Sequence, residues 1–159
     1  MSVAVGNDVV DLNRDRTKGR ASDERFIERI FSVHEQQAIA NSDDTDLELW
    51  SHWAAKEAGF KAISKVVSPT PPFVHRAFKV SWSKATSLSE TAVGSVIRVG
   101  TVNYHGLDAE VTVSLWPGRV HAVAYAQAPH KLEVVQIQTR VELLDNFGSC
   151  WAGSFQELR

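Results

Sequence analysis

The amino-acid sequence predicts an α+β domain with its helices packed on one side of a mainly antiparallel sheet. Two observations carry this reading. Helical periodicity is gathered between residues 24 and 65, behind one short strand. After Ser68-Pro69-Thr70-Pro71-Pro72 the chain turns to alternating, β-branched runs separated by turn signals. A strand, then helices, then a meander is the order of an α+β fold rather than of a doubly wound one. The 159 residues, 43% of them hydrophobic, suffice for one domain over 1–159, with residues 129–159 as a C-terminal extension.

Val3-Ala4-Val5 reads as a short strand that Gly6-Asn7-Asp8 leads out of. Val9, Val10 and Leu12 keep the next segment near the core while Asp8 and Asp11 project from it. Between Asn13 and Arg29 the charges are dense and mixed; most belong on a solvated surface, and a subset is suited to hold phosphates. Phe26, Ile27, Ile30 and Phe31 recur at helical spacing after Asp23. Ser32-Val33-His34-Glu35 matches a capping box, which starts a second helix running to about Ala40. A polar break at 41–46 loads acids onto the start of a central helix, where the helix dipole favours them. That helix runs through Leu49–Ala62 to about Lys65, and the prolines end it. Strands follow at Phe73–Trp82, Val96–Tyr104, Ala109–Trp116 and Arg119–Tyr125, with turns at His105-Gly106-Leu107-Asp108 and Pro117-Gly118. Leu132–Thr139 reads as an edge strand and Val141–Phe147 as a short helix.

The charge balance, 17 Lys+Arg against 19 Asp+Glu, argues against a nucleic-acid backbone or an acidic membrane surface as partner. No apolar run approaches the ~20 residues of a membrane span, and the amino terminus lacks the form of a signal peptide. The single cysteine, Cys150, excludes an internal disulfide and a cysteine-rich zinc site. A cytoplasmic protein is expected.

The central helix is the unusual element. Its 3.6-residue period puts Trp50, Trp53, Ala54, Glu57, Phe60 and Lys61 on one face and Ser51, Ala55, Ala58, Gly59 and Ala62 on the other. The second face is small and invites close packing. The first sets a carboxylate and an ammonium among aromatic side chains, where an unpaired charge is unfavourable. Asp8 and Glu57 are two hard oxygen donors from separate elements, the kind of protein contribution a Mg²⁺ site takes while leaving its other positions to water and phosphate. Arg14 accompanies the first, and Lys56 and Lys61 the second. On spacing alone two alternatives stay open: Asp8 as a turn or cap residue, and Glu57–Lys61 as an ordinary i,i+4 ion pair.

Gly6-Asn7-Asp8-Val9-Val10-Asp11-Leu12, the Arg25–Phe31 segment with Glu35, and Trp53-Ala54-Ala55-Lys56-Glu57-Ala58-Gly59-Phe60-Lys61-Ala62 together resemble the 4′-phosphopantetheinyl transferase superfamily, in order and spacing, over about the first 65 residues. The resemblance implies a phosphopantetheinyl transferase-like domain of the small holo-acyl-carrier-protein synthase type. Such an enzyme moves the 4′-phosphopantetheine arm of coenzyme A onto a serine of an acyl or peptidyl carrier protein and releases 3′,5′-ADP. It further implies Asp8 and Glu57 as ligands of Mg²⁺ and as catalytic groups, with a carboxylate or a metal-ordered water removing the serine proton. Lys61 is then a catalytic contact to the diphosphate, and Arg14 and Lys56 are further phosphate contacts. Small members assemble as trimers, so a homo-oligomer is expected. The chain departs from the pattern in three places: Val10 stands where larger members carry a second acid, Ile63-Ser64-Lys65-Val66-Val67 replaces a Gly-rich turn, and the Ser-x-Ser-His stretch is missing, with His121 in the next strand instead. The alternative is a non-catalytic relative that binds carrier protein or coenzyme A; a weaker rival is another Mg²⁺ phosphotransferase or hydrolase.

Overall fold

The computed structural model describes residues 3–83 and 96–128. Strands β1 (Val3–Asp11), β2 (Lys79–Trp82), β3 (Val96–Tyr104), β4 (Leu107–Trp116) and β5 (Arg119–Gln127) form one sheet in the order β1-β5-β4-β3-β2. Every pairing is antiparallel. Helices α1 (Glu24–Ile30), α2 (Val33–Ala40) and α3 (Thr45–Ile63) lie between β1 and β2 in the chain. α3 crosses β1, β5 and β4, so the helices cover one side of the sheet, as the sequence predicts.

The helix starts are built from the cap residues the sequence offers. Asp23 accepts the Phe26 N–H at 3.1 Å and Asp44 accepts the Leu47 N–H at 2.9 Å. The capping box of α2 is complete: Ser32 Oγ accepts the Glu35 N–H, and Glu35 Oε2 accepts the Ser32 N–H at 2.7 Å.

Several element boundaries differ from expectation, with β4 starting two residues early at Leu107 and β5 running two residues further to Gln127. β1 does not end at Gly6; it runs to Asp11, because β5 pairs with it from Val3↔Gln127 to Asp11↔Arg119 and the ladder overrides a local turn signal. Asp8 is therefore a strand residue and not a turn cap. The Phe73–Trp82 segment is strand only at Lys79–Trp82, preceded by a 3-10 turn at His75–Ala77. α3 stops at Ile63, two residues short of Lys65. The expected strand at Leu132–Thr139 and helix at Val141–Phe147 lie outside the described residues.

The core forms where the small face of α3 meets the sheet. Ala54, Ala55, Ala58 and Ala62 are fully buried, as are Ala122, Ala124 and Ala126 of β5 opposite. Backbones approach closely here. A Cβ built on Gly59 would stand 2.6 Å from Val102, and one on Gly6 would stand 2.1 Å from the Ala58 carbonyl oxygen and 2.6 Å from the Ala62 nitrogen. At Gly6 the obstructing atoms are backbone and have no rotamer to yield, so any side chain must push β1 off α3. Gly6→Ala is accordingly expected to lower the free energy of unfolding in urea by about 1–3 kcal/mol or more, a larger loss than any Gly→Ala change in the turn at Gly106.

Candidate functional site

Alternation along β1 turns Ala4, Gly6, Asp8 and Val10 toward α3, and Val5, Asn7, Val9 and Asp11 away from it. Asp8 is thus aimed at the helix two residues after the glycine that lets the helix close in. From the other side Lys61, in the last turn of α3, reaches back to β1. Its Nζ donates to the Asn7 carbonyl and to Asp8 Oδ1, both at 2.9 Å, and lies 4.0 Å from Glu57 Oε2. One ammonium stands between two carboxylates drawn from different elements.

That compensation is incomplete. Burial pushes the Asp8 carboxyl above the ordinary carboxylate range; the Lys61 hydrogen bond and charge oppose the shift, and the nearby Glu57 charge adds to it. Glu57 Oε1 faces His75 Nε2 at 3.7 Å. Both carboxylates keep contact with water, at 18% and 20% side-chain exposure. Trp50, Trp53 and Glu57 of α3 thus form one wall of a cleft, while Phe60 packs against Phe73 and Phe78 outside it.

The cleft has a volume of about 510 Å³ and is lined by Asp8 and Glu57 together with Arg16, Arg20 and Arg29. Phe26, Trp50 and Trp53 supply an apolar wall, with Phe26 and Trp53 stacked at 5.7 Å. The arginine-bearing segment is fastened to α3. Trp50 Nε1–H donates to the Thr17 carbonyl at 2.7 Å, and the Asp46 carboxylate accepts the Gly19 and Ala21 N–H groups at 2.6 and 3.1 Å. Of the mixed charges between Asn13 and Arg29, Arg16, Arg20 and Arg29 line the cleft, Arg16 and Arg20 in the segment that these two anchors fold over the helix.

Among the residues singled out from sequence, the structure brings Asp8, Glu57 and Lys61 together and leaves two outside. Arg14 does not line the cleft; it is 61% exposed and pairs with Asp11 at 3.4 Å. Lys56 is corrected outright. Its side chain is fully buried, and its Nζ donates to Glu35 Oε2 at 2.8 Å, to the His75 carbonyl at 3.2 Å and to the Phe78 carbonyl. All three protons of the ammonium are taken, so none remains for a phosphate. Burial pulls the Lys56 ammonium below the usual lysine range, opposed by Glu35. Burial alone would raise Glu35, but the Lys56 charge and hydrogen bonds from Lys56, Val80 and Ser32 hold it below the usual glutamate range. His121 pairs with Val9 in register and so sits on the sheet face away from Asp8.

The donor set fits Mg²⁺. Two hard oxygens on rigid elements bear more negative charge than Lys61 neutralises, and the raised Asp8 carboxyl marks a charge that a divalent cation would relieve. Among the described residues no group of three or more His, Cys, Asp or Glu is poised to hold a metal ion. The remaining positions would fall to water and a phosphate-bearing ligand, as Mg²⁺ prefers.

The chain is similar to known proteins of one family. Residues 4–126 match the model of the 4′-phosphopantetheinyl transferase superfamily. A holo-[acyl-carrier-protein] synthase of Rhodopirellula baltica is 29% identical over 132 residues, 77% of this chain and 94% of the relative. One from Protochlamydia amoebophila is 33% identical over 63 residues, 40% of this chain and 52% of the relative. Among solved structures, the Thermotoga maritima holo-[acyl-carrier-protein] synthase superposes with a TM-score of 0.55 at 20% identity, covering 80% of this chain and 65% of that one, just under two thirds of its length. A synthase–coenzyme A complex from Chronobacterium ammoniagenes gives 0.53 at 17% identity, covering 82% of this chain and all of that one. These structural likenesses establish a shared fold.

Two outcomes follow from the charge placement. Lys56→Ala leaves Glu35 buried and unpaired and should lower stability by about 3–5 kcal/mol in urea titration; a lysine serving only to contact phosphate would leave stability unchanged. Burial raises the Asp8 carboxyl above the ordinary aspartate value in the folded protein, so it favours the folded state at low pH and loses that contribution as pH rises through the raised value. In metal-free protein Asp8→Asn should therefore raise the thermal midpoint at pH 7, with the advantage shrinking toward pH 4 and on addition of Mg²⁺.

Proposed function

The chain belongs to the 4′-phosphopantetheinyl transferase superfamily, and on that footing we propose that it transfers the 4′-phosphopantetheine arm of coenzyme A to a serine of an acyl or peptidyl carrier protein. The observation that carries this reading is the meeting of Asp8 and Glu57 around Lys61 at the edge of an arginine-lined cleft. The serine oxygen forms a bond to the phosphorus nearer the pantetheine. The bond from that phosphorus to the bridging oxygen breaks, and 3′,5′-ADP leaves with the electron pair.

Asp8 and Glu57 would hold Mg²⁺, which when bound supplies positive charge against the diphosphate. A carboxylate of the pair accepts the serine proton at an oxygen that Lys61 or His75 does not occupy. Lys61 provides a second positive charge beside the reacting phosphates, already oriented by the Asn7 carbonyl. Arg16 and Arg29 bind anionic groups of the two substrates, and Arg20, which already donates to the Arg16 carbonyl and to Asp23 at 3.2 Å each, adds positive charge beside them. Phe26, Trp50 and Trp53 exclude water from one side of the cleft and strengthen these electrostatic contacts. The anchors at Thr17, Gly19 and Ala21 keep the arginines in place without help from a Gly-rich turn after α3.

The reading carries with it a cytoplasmic setting and a trimeric assembly. Among the described residues no helix is long and apolar enough to cross a membrane. Val5, Val9 and Val99 are exposed on the sheet face opposite α3, where a second copy would shield them.

The test is mass spectrometry of an apo-carrier protein incubated with the chain, coenzyme A and Mg²⁺. A gain of about 340 Da, the mass of the transferred arm, is expected. Asp8→Ala and Glu57→Ala should each slow the gain by about a hundredfold or more while circular dichroism stays unchanged. Coenzyme A binding with no mass gain on any carrier protein would overturn the reading in favour of a non-catalytic relative.

A further inference from the structure

His75 stands beside the carboxylate pair without being one of its members. Its ring lies between Phe73 and Trp53, with centroids 4.1 and 4.6 Å away. Its carbonyl oxygen accepts a hydrogen bond from the buried Lys56 ammonium at 3.2 Å. Ring and backbone are thus both held. Nε2 is nevertheless buried with no hydrogen-bond partner among the described residues, a condition that disfavours the fold unless a partner is found.

That atom faces Glu57 Oε1 at 3.7 Å. The separation exceeds a hydrogen bond, and a small rotation of the partly exposed Glu57 carboxylate would close it. Oε2 of the same carboxylate points the other way, toward Lys61 at 4.0 Å and so toward the Asp8 side of the cleft. The two oxygens therefore face different partners, and whatever fixes the first aims the second. Carboxylates that hold metal ions are commonly oriented by such a hydrogen bond from behind.

We propose that His75 is a positioning residue for Glu57: by donating from Nε2–H to Oε1 it turns Oε2 toward Asp8 and tightens the pair's hold on a divalent cation. This rests on the reading that Asp8 and Glu57 bind the metal. The buried Lys56–Glu35 pair then serves the site at one remove, since it fixes the backbone from which the imidazole projects.

The test uses the full chain, freed of metal, with Mn²⁺ as the probe and its free electron-paramagnetic-resonance signal as the readout. His75→Phe keeps an aromatic ring between Phe73 and Trp53 and removes the donor; His75→Gln keeps a donor and removes the ring. The expected result is Mn²⁺ binding about 10- to 100-fold weaker in His75→Phe, with affinity near that of the unsubstituted chain in His75→Gln. Imidazole ¹⁵N spectra of the unsubstituted chain should show His75 carrying a proton on Nε2. Equal affinity in His75→Phe, equal loss in both variants, or a neutral His75 protonated on Nδ1 alone would overturn the proposal. Should His75→Phe not fold, the imidazole spectrum and the His75→Gln titration decide it by the same signs. An unsubstituted chain that takes up no Mn²⁺ would instead overturn the metal reading itself.

Discussion

A lysine ammonium sealed from water, and the glutamate that neutralises it, hold the helical half of this fold in place. Lys56 and Glu35 are buried to 0% and 1% exposure. Two charges taken out of water destabilise a protein by several kcal/mol each unless every donor and acceptor is met. Here they are met. Lys56 donates to Glu35, His75 and Phe78, and Glu35 also accepts from the Ser32 and Val80 backbone. One node therefore joins the start of α2, the middle of α3, the 3-10 turn at His75–Ala77 and the start of β2. An apolar core tolerates small slippage between such elements. This node does not, because any shift leaves a buried charge without its partner.

The cleft inherits its geometry from that node and from one close contact. Lys56 fixes the rotation of α3 about its axis, and Glu57, the next residue round the helix, comes out at the solvent margin. Gly6 lets β1 lie against the same helix at backbone distance, which brings Asp8 within reach of Lys61. The sealed Lys56–Glu35 pair is structural, whereas the Asp8 and Glu57 carboxylates that line the cleft keep part of their surface in water. The difference is physical: a group that must bind phosphate or metal has to trade water for a ligand, and a sealed group has no water to trade.

Much of this could be read from residue order. The capping box at Ser32–Glu35, the cap at Asp23 and the alternation in β3, β4 and β5 are local signals that the tertiary structure reinforces. The pairing of Asp8 with Glu57 was also legible, through the order and spacing of the two motifs around them. Lys56 was misassigned for a simple reason. It lies between the two faces that a 3.6-residue period distinguishes, and its partner Glu35 had already been accounted for as a helix cap. Glu35 in fact does both, capping α2 with its Oε2 while the same oxygen accepts from Lys56. Arg14 and Arg16 are equally basic and two residues apart; only the fastening of the intervening chain by Trp50 and Asp46 separates a solvated arginine from one that lines the cleft.

The sequence by itself determined the α+β order, the helix starts and the close-packing face of α3, because each depends on residues near one another in the chain or on a strict period; the two carboxylates stood out only through the resemblance of the motifs that carry them. Only the tertiary structure decided that β1 runs on through Asp8, that Lys56 is sealed, which arginines reach the cleft, and that His75 stands behind Glu57. Those outcomes depend on partners far along the chain, β5 for β1, Glu35 for Lys56 and α3 for the arginine segment. No local pattern encodes which distant group will arrive to satisfy a hydrogen bond or a charge.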